Sequence, residues 1–174
     1  VFKNFLVEMG EKLEELEEAY LRCQSEAKNA FGNDQLYVEE LIQHARHIEI
    51  QIIGDREGNI LAIGDRECSV QRRHQKIIEI APSFDLPEKT RLALQEAAEK
   101  LAKSVGYYSL GTFEFLVDSK SNGQERFAFI EANARLQVEH TVTEEVTGVD
   151  LVQSQIEIAN GKSLKALELN ETTQ

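Results

Sequence analysis

The sequence predicts an α+β fold with a largely antiparallel sheet flanked by helices. Three observations carry that prediction. Short apolar runs alternate between two faces with the two-residue period of a strand. Those runs come in pairs around turn residues, as hairpins do. Segments with apolar residues every three or four positions separate the pairs and read as helices.

The first helix runs through EKLEELEEAYLRCQSEAKNAF, where Leu13, Leu16, Tyr20, Cys23, Ala27 and Ala30 make one stripe. Its Glu and Lys residues form a solvated face, and Phe31-Gly32-Asn33-Asp34 ends it with turn chemistry. LYVEELI follows as a strand candidate. RHIEIQIIGD then alternates cleanly, with Ile48, Ile50 and Ile52 on one face and His47, Glu49 and Gln51 on the other, which reads as wet. Asp55-Arg56-Glu57-Gly58 makes a turn and NILAIG returns, completing a hairpin. KIIEIAP is a further strand, stopped at Pro82. Asp85 reads as the cap of a helix with Pro87 in its first turn and Glu88 three positions on. Leu94, Ala97, Ala98, Leu101 and Val105 give that helix its buried face, and Gly106 closes it. GTFEFLVD and RFAFIEAN form a second hairpin around SKSNGQE. A last helix spans VDLVQSQIEIA to Gly161, and the tail KALELNETTQ is expected to be poorly ordered.

Composition narrows the class. The chain has 174 residues, 41% hydrophobic and 29% charged, enough for one globular core. A net charge of -12 argues against a general nucleic-acid binder. No apolar run is long enough for a membrane span, and no signal peptide is visible. Cys23 and Cys68 sit in unlike contexts, which is no disulfide framework and suits a reduced, intracellular protein. The chain opens at Val1 without an initiator methionine, so a fragment or a processed product is expected.

Chemistry concentrates in FAFIEANARLQVEH, Phe127 to His140. If the extended run continues, Glu131, Asn133 and Arg135 share a face, and Glu139 follows shortly after. A carboxylate, an amide and a guanidinium together can hold a divalent cation, orient a phosphate and neutralise a small oxyanion. Upstream, Glu114 interrupts the apolar run GTFEFLVD, where a carboxylate is costly unless compensated. Taken singly, Glu114 reads as half of a buried ion pair; with the other four residues it reads as a site. Glu114 and Glu131 should lie on adjacent antiparallel strands and converge on one cation, because uncompensated burial of both would raise the pKa of one. QRRHQK clusters Arg72, Arg73, His74 and Lys76 in an acidic chain. Such a local positive site serves an anion, or it is a surface loop paired with nearby Glu residues. Four histidines and Cys68 lack a second closely spaced ligand pair, so zinc is rejected.

EANARLQVEHTVTEEVTGVDLVQSQIEIANG, with RHIEIQIIGD and ECSVQRRHQKIIEIAP, resembles the biotin carboxylase component of biotin-dependent carboxylases, an ATP-grasp enzyme. The resemblance covers roughly Gln35 to Leu164 in continuous order. It implies an ATP-grasp-like fold, with 1–41 as a remnant of the lid subdomain, helix plus strand, and 42–174 as an incomplete C-terminal subdomain. It also implies ATP- and bicarbonate-dependent carboxylation of biotin through carboxyphosphate.

Residue by residue, Glu114, Glu131 and Asn133 are similar to the family's ligands for magnesium or manganese. Lys76, Arg135, Gln137 and Val138 resemble its bicarbonate pocket, Val138 through its backbone amide. Glu139 resembles the base that deprotonates bicarbonate, making Glu139, Arg135 and Lys76 the catalytic set. Glu39 and Ile42 match the adenine hinge, and His47, Gln71, His74 and Leu116 match further nucleotide contacts.

Departures accompany these matches. Only Gly10 stands where a glycine-rich phosphate loop is expected, the family's upstream lysines are not found, and Glu40 replaces a residue that is often basic. The implied partners are a biotin carboxyl carrier domain and a carboxyltransferase, in a homo-oligomeric parent in the cytoplasm or an organellar matrix. Two other readings stand beside this one. One is a bicarbonate-phosphorylating ligase of the carbamoyl-phosphate synthetase type; the other is a non-catalytic ATP-grasp-like domain.

Overall fold

The structure is a computed structural model that describes residues 16–38, 41–42, 44–73, 75–118 and 126–169. The chain divides into two compact units, Val1–Ile42 and Gln43–Gln174.

In the first unit the expected helix is α1, Leu16–Phe31, which buries Cys23 and Ala27. Leu13 lies outside the described residues, and Leu16 and Tyr20 are exposed, so the buried stripe is narrower than its sequence pattern. Gly32, at φ 71°, donates to the Lys28 carbonyl and ends the helix in the left-handed conformation glycine favours. The strand expected over LYVEELI does not form among the described residues 36–38 and 41–42, for want of a neighbouring strand to complete its ladder.

The second unit holds one five-stranded sheet, all of its neighbours antiparallel. Its strands are β1 Ala45–Gly54, β2 Ile60–Arg72, β3 Gln75–Ile80, β4 Ser109–Asp118 and β5 Arg126–Asn133, in the spatial order β3-β2-β1-β4-β5. Both expected hairpins form, β1–β2 across Asp55–Asn59 and β4–β5 across a loop, 119–125, that lies outside the described residues. Helix α2, Glu88–Ser104, connects β3 to β4; α3, His140–Thr147, and α4, Leu151–Ala159, follow β5.

Period-two alternation gives the sheet two unlike faces. Ile48, Ile50 and Ile52 of β1 and Phe113, Phe115 and Val117 of β4 pack with Leu94, Ala98 and Ala102 of α2 in one core. Each fully buried Ile, Leu, Phe or Val among them contributes about 1.5–3 kcal/mol. The opposite face is divided along its length. At one end Ile53, Leu61, Ile63 and Leu110 form a second core with Leu151, Ile158 and Leu164. At the other end the same face carries His47, Glu49, Gln51, Arg66, Thr112 and Glu114. That end is not wet, because Glu49 and Arg66 are 0% exposed.

Several local expectations need correction. Asp85 is no helix cap: its φ is 48°, Pro87 precedes the first turn in an extended conformation, and no side chain caps α2. The strand through FAFIEANAR stops at Asn133, where the chain turns with Arg135 N–H donating to the Asn133 carbonyl. The tail is ordered to residue 169: Lys165–Leu167 forms a 3₁₀ turn, and Leu164, Leu167 and Leu169 join the second core. Residues 170–174 lie outside the described set.

Candidate active site

Strand register builds the site. His47 faces Leu116, Glu49 faces Glu114 and Gln51 faces Thr112 across β1 and β4. Glu114 in turn faces Glu131, and Thr112 faces Asn133, across β4 and β5. A bulge just beyond, where Phe115 pairs with Phe129, leaves Ile130 as the extra residue. The two carboxylates therefore share one sheet face on adjacent strands, as expected. The Asn133 amide nitrogen stands between them, 2.7 Å from Glu114 Oε1 and 3.4 Å from Glu131 Oε1.

Lys76 of β3 reaches across this face. Its ammonium donates to Glu49 Oε2 at 2.6 Å, Glu139 Oε1 at 3.1 Å and Glu114 Oε1 at 3.2 Å. Three N–H groups thus meet three carboxylates. Arg66 holds the other oxygen of Glu49 at 2.5 Å. His47 Nδ1 lies 2.8 Å from the Gln71 amide nitrogen, which must donate to it; Nε2 then carries the proton toward Glu114 Oε2, 2.6 Å away.

Electrostatics follow from these contacts. Burial pushes the Glu114 carboxyl up, yet the His47 hydrogen bond and the Lys76 charge outweigh it and hold the group at about 2. At Glu114, therefore, the rise expected from burial beside a like charge is not found. Burial likewise pushes Glu139 up, while its own backbone N–H and Lys76 bring it below the usual carboxylate range. For Lys76, burial favours the neutral amine, but Glu49 and then Glu114 carry its pKa well above the ordinary lysine value. Burial first, then Glu49, raises the Cys68 thiol, which stays protonated.

Within QRRHQK, Arg72 and Arg73 are exposed, whereas Lys76 is enclosed by carboxylates. Among the described residues the centre sets four carboxylates, Glu49, Glu114, Glu131 and Glu139, against two cations, Arg66 and Lys76. Its net sign is negative.

The remaining expected residues divide. Gln137 is buried, and its amide nitrogen lies 3.3 Å from Glu114 Oε1, while its carbonyl oxygen has no hydrogen-bond partner among the described residues. Leu116 is half-buried beside His47. Arg135 and Val138 are exposed: the Arg135 guanidinium donates to the Leu136 carbonyl, and the Val138 side chain is 86% exposed. Ile42 is half-buried in the first unit. Glu39, Glu40 and His74 lie outside the described residues. Glu49, Arg66 and Thr143 are central here yet absent from the site predicted by sequence. Period-two alternation put Glu49 on the right face, and only the assumption that this face is wet hid it.

An antiparallel sheet with a carboxylate-lined face, a caged lysine and an amide between two glutamates fits the ATP-grasp fold. Residues 7–167 match the family described as carbamoyl-phosphate synthase L chain, ATP binding domain, and the chain belongs to that family. Pyruvate carboxylase 1 of Caenorhabditis elegans is 58% identical over 163 residues, which are 94% of this chain and 14% of that protein. A biotin carboxylase complex with β,γ-ATP from Campylobacter jejuni superposes with a TM-score of 0.78 at 51% identity, over 88% of this chain and 33% of that one. The bicarbonate-bound biotin carboxylase domain of a thermophilic 2-oxoglutarate carboxylase gives 0.79 at 45% identity, over 91% and 35%. The chain thus resembles biotin carboxylase regions and spans about one-seventh of that curated relative.

Proposed function

We propose that this chain is the central part of a biotin carboxylase that uses ATP and bicarbonate to carboxylate biotin. The observation that carries the reading is Lys76, which links Glu139 and Glu114 across one buried sheet face. Glu139 is the general base. Its lowered pKa keeps it ionised at neutral pH, ready to take the bicarbonate proton. The deprotonated oxygen attacks the γ-phosphorus of ATP and ADP leaves, giving carboxyphosphate. That breaks to phosphate and carbon dioxide; the biotin ureido nitrogen attacks the carbon dioxide as its proton passes to the released phosphate. Gln137 lines the bicarbonate pocket beside Glu114, and Lys76 supplies its positive charge. Arg135 and the Val138 backbone complete the pocket, with Arg135 turning in from its exposed position. His47, Gln71, His74 and Leu116 hold the nucleotide.

The donor set fits a hard divalent cation, since the centre carries more carboxylates than cations and its oxygen ligands suit magnesium or manganese. Glu114, Glu131 and Asn133 would hold it. When bound, the metal would neutralise charge on the transferring phosphoryl group. Residues 1–41 belong to the lid subdomain and 42–174 to the C-terminal subdomain. A carrier domain and a carboxyltransferase complete the homo-oligomeric parent, in the cytoplasm or an organellar matrix. No helix among the described residues is long and apolar enough to cross a membrane.

The name of the matching family favours a second reading, a carbamoyl-phosphate synthetase type that phosphorylates bicarbonate for ammonia. Product assays with biotin and with ammonia separate the two. The roles themselves are tested by Glu139→Gln in the longer parent enzyme. Bicarbonate-dependent ATP cleavage should fall by roughly a hundredfold or more while ATP affinity stays within about twofold. Collapse of ATP affinity would instead make Glu139 a metal ligand or a structural group.

A further inference from the structure

We infer that Arg66 and Thr143 are positioning residues that hold the amino-terminal end of α3, and with it Glu139, against Lys76. This rests on the role of Glu139 proposed above. Arg66 is 0% exposed and spends its guanidinium on four partners: Glu49 Oε1 at 2.5 Å, Thr143 Oγ1 at 2.8 Å, Gln51 Oε1 at 2.9 Å and Thr112 Oγ1 at 3.3 Å. Three of these sit on the sheet, and only Thr143 belongs to a helix. It lies one turn after Glu139, so the two share a helix face. The contacts close a ring, from Arg66 through Glu49, Lys76 and Glu139 into α3 and back through Thr143 to Arg66.

Two consequences follow from the ring. Arg66 occupies one oxygen of Glu49 and leaves the other to Lys76, so Lys76 remains shared with Glu139 and Glu114 instead of collapsing onto a lone buried carboxylate. The Thr143 hydroxyl fixes the height of α3 over the sheet. Glu139 has no strand to hold it: it precedes the first turn of an eight-residue helix, and its placement depends on what α3 grips. Misplacement of a reacting group by about an ångström can cost a hundredfold in rate.

Replacing Arg66 would leave Glu49 buried with too few partners and could unfold the protein. Thr143 is the cleaner handle. In the parent enzyme, Thr143→Val keeps the shape and removes the acceptor, whereas Thr143→Ser keeps the hydroxyl. The valine variant should lose roughly ten- to a hundredfold in kcat for bicarbonate-dependent ATP cleavage, with KM for ATP within about twofold. The serine variant should recover most of the loss. A crystal structure of the valine variant should show Lys76 Nζ and Glu139 Oε1 further apart than 3.1 Å. Unchanged kcat, a loss that falls on KM, or a serine variant as impaired as the valine overturns the inference. Absence of bicarbonate-dependent ATP cleavage in the unaltered parent would sink the functional reading itself. The lysine–glutamate distance then decides the positioning role alone: a lengthened distance supports it and an unchanged one overturns it.

Discussion

At the scale of single residues, the buried carboxylates of this chain are held by donors, and the most self-contained case is Asp55. It is 2% exposed and accepts from the Glu57 and Asn59 backbone N–H groups, the Asn59 amide and the Leu164 N–H, each at 2.9 Å. Burial pushes its carboxyl up, but the Asn59 and Leu164 hydrogen bonds prevail and its pKa lies below the ordinary value of 3.8. A carboxylate lowered on folding contributes stability in full above its unfolded pKa and loses it as pH falls through the folded one. Asp55→Ala should therefore cost about 1–3 kcal/mol at neutral pH, since the buried Leu164 N–H and three part-buried donors lose their acceptor. The gap from the unaltered chain should narrow as pH falls below about 4, measured by urea unfolding at several pH values. A gap independent of pH would show that the lost contacts, and not the charge, set the cost. Sequence alone disclosed the turn at Asp55 but not its tie to Leu164, which is far along the chain. It failed at Arg66 for the same reason: an arginine at the end of an apolar run gives no hint of partners on three other elements.

Elements were legible in proportion to the regularity of their patterns. The strands of β1, β4 and β5 alternate, and both hairpins appear where turn residues predicted them. Helix α3 escaped notice because HTVTEEVT is short and rich in β-branched residues, which favour strands, so tertiary contacts decide its state. Its end is clear in retrospect, since Gly148 takes φ 73° and donates to the Glu144 carbonyl. The tail misled because KALELNETTQ is polar overall, while Leu167 and Leu169 are spaced to reach the second core. Packing between elements is equally specific at Gly111 on β4. A Cβ there would run into the Tyr107 ring and hydroxyl, whose O–H donates to the Leu110 carbonyl at 2.8 Å. Tyr107 is itself fixed edge-on to Phe113, with ring centroids 5.6 Å apart. Gly111→Ala should destabilise by about 1–3 kcal/mol through overpacking. Restoring space with Tyr107→Phe in the same chain should recover part of that loss in thermal unfolding. Failure to recover any would place the strain in the backbone.

Across the molecule, the sheet separates stability from chemistry: one face and half of the other are apolar, and the remaining half-face gathers the charge. A net charge of -12 and a centre with more carboxylates than cations both disfavour a bare anionic nucleotide. Cation and nucleotide should therefore bind together. For the 174-residue chain, thermal unfolding with ADP and magnesium should shift upward by more than the sum of the shifts from each alone, as linkage requires when both favour the folded state. Glu131→Gln should remove most of that excess. Glu131 is not one of the Lys76 partners, so its replacement leaves the three Lys76 ion pairs in place. The same chain should show no appreciable bicarbonate-dependent ADP release, because preorganised charge around the phosphates supplies most of phosphoryl-transfer catalysis. No glycine-rich loop is found in these residues to help provide it. Turnover comparable to a complete biotin carboxylase would overturn that expectation. Additive shifts, or a Glu131→Gln chain that keeps the full excess, would remove Glu131 from the metal site.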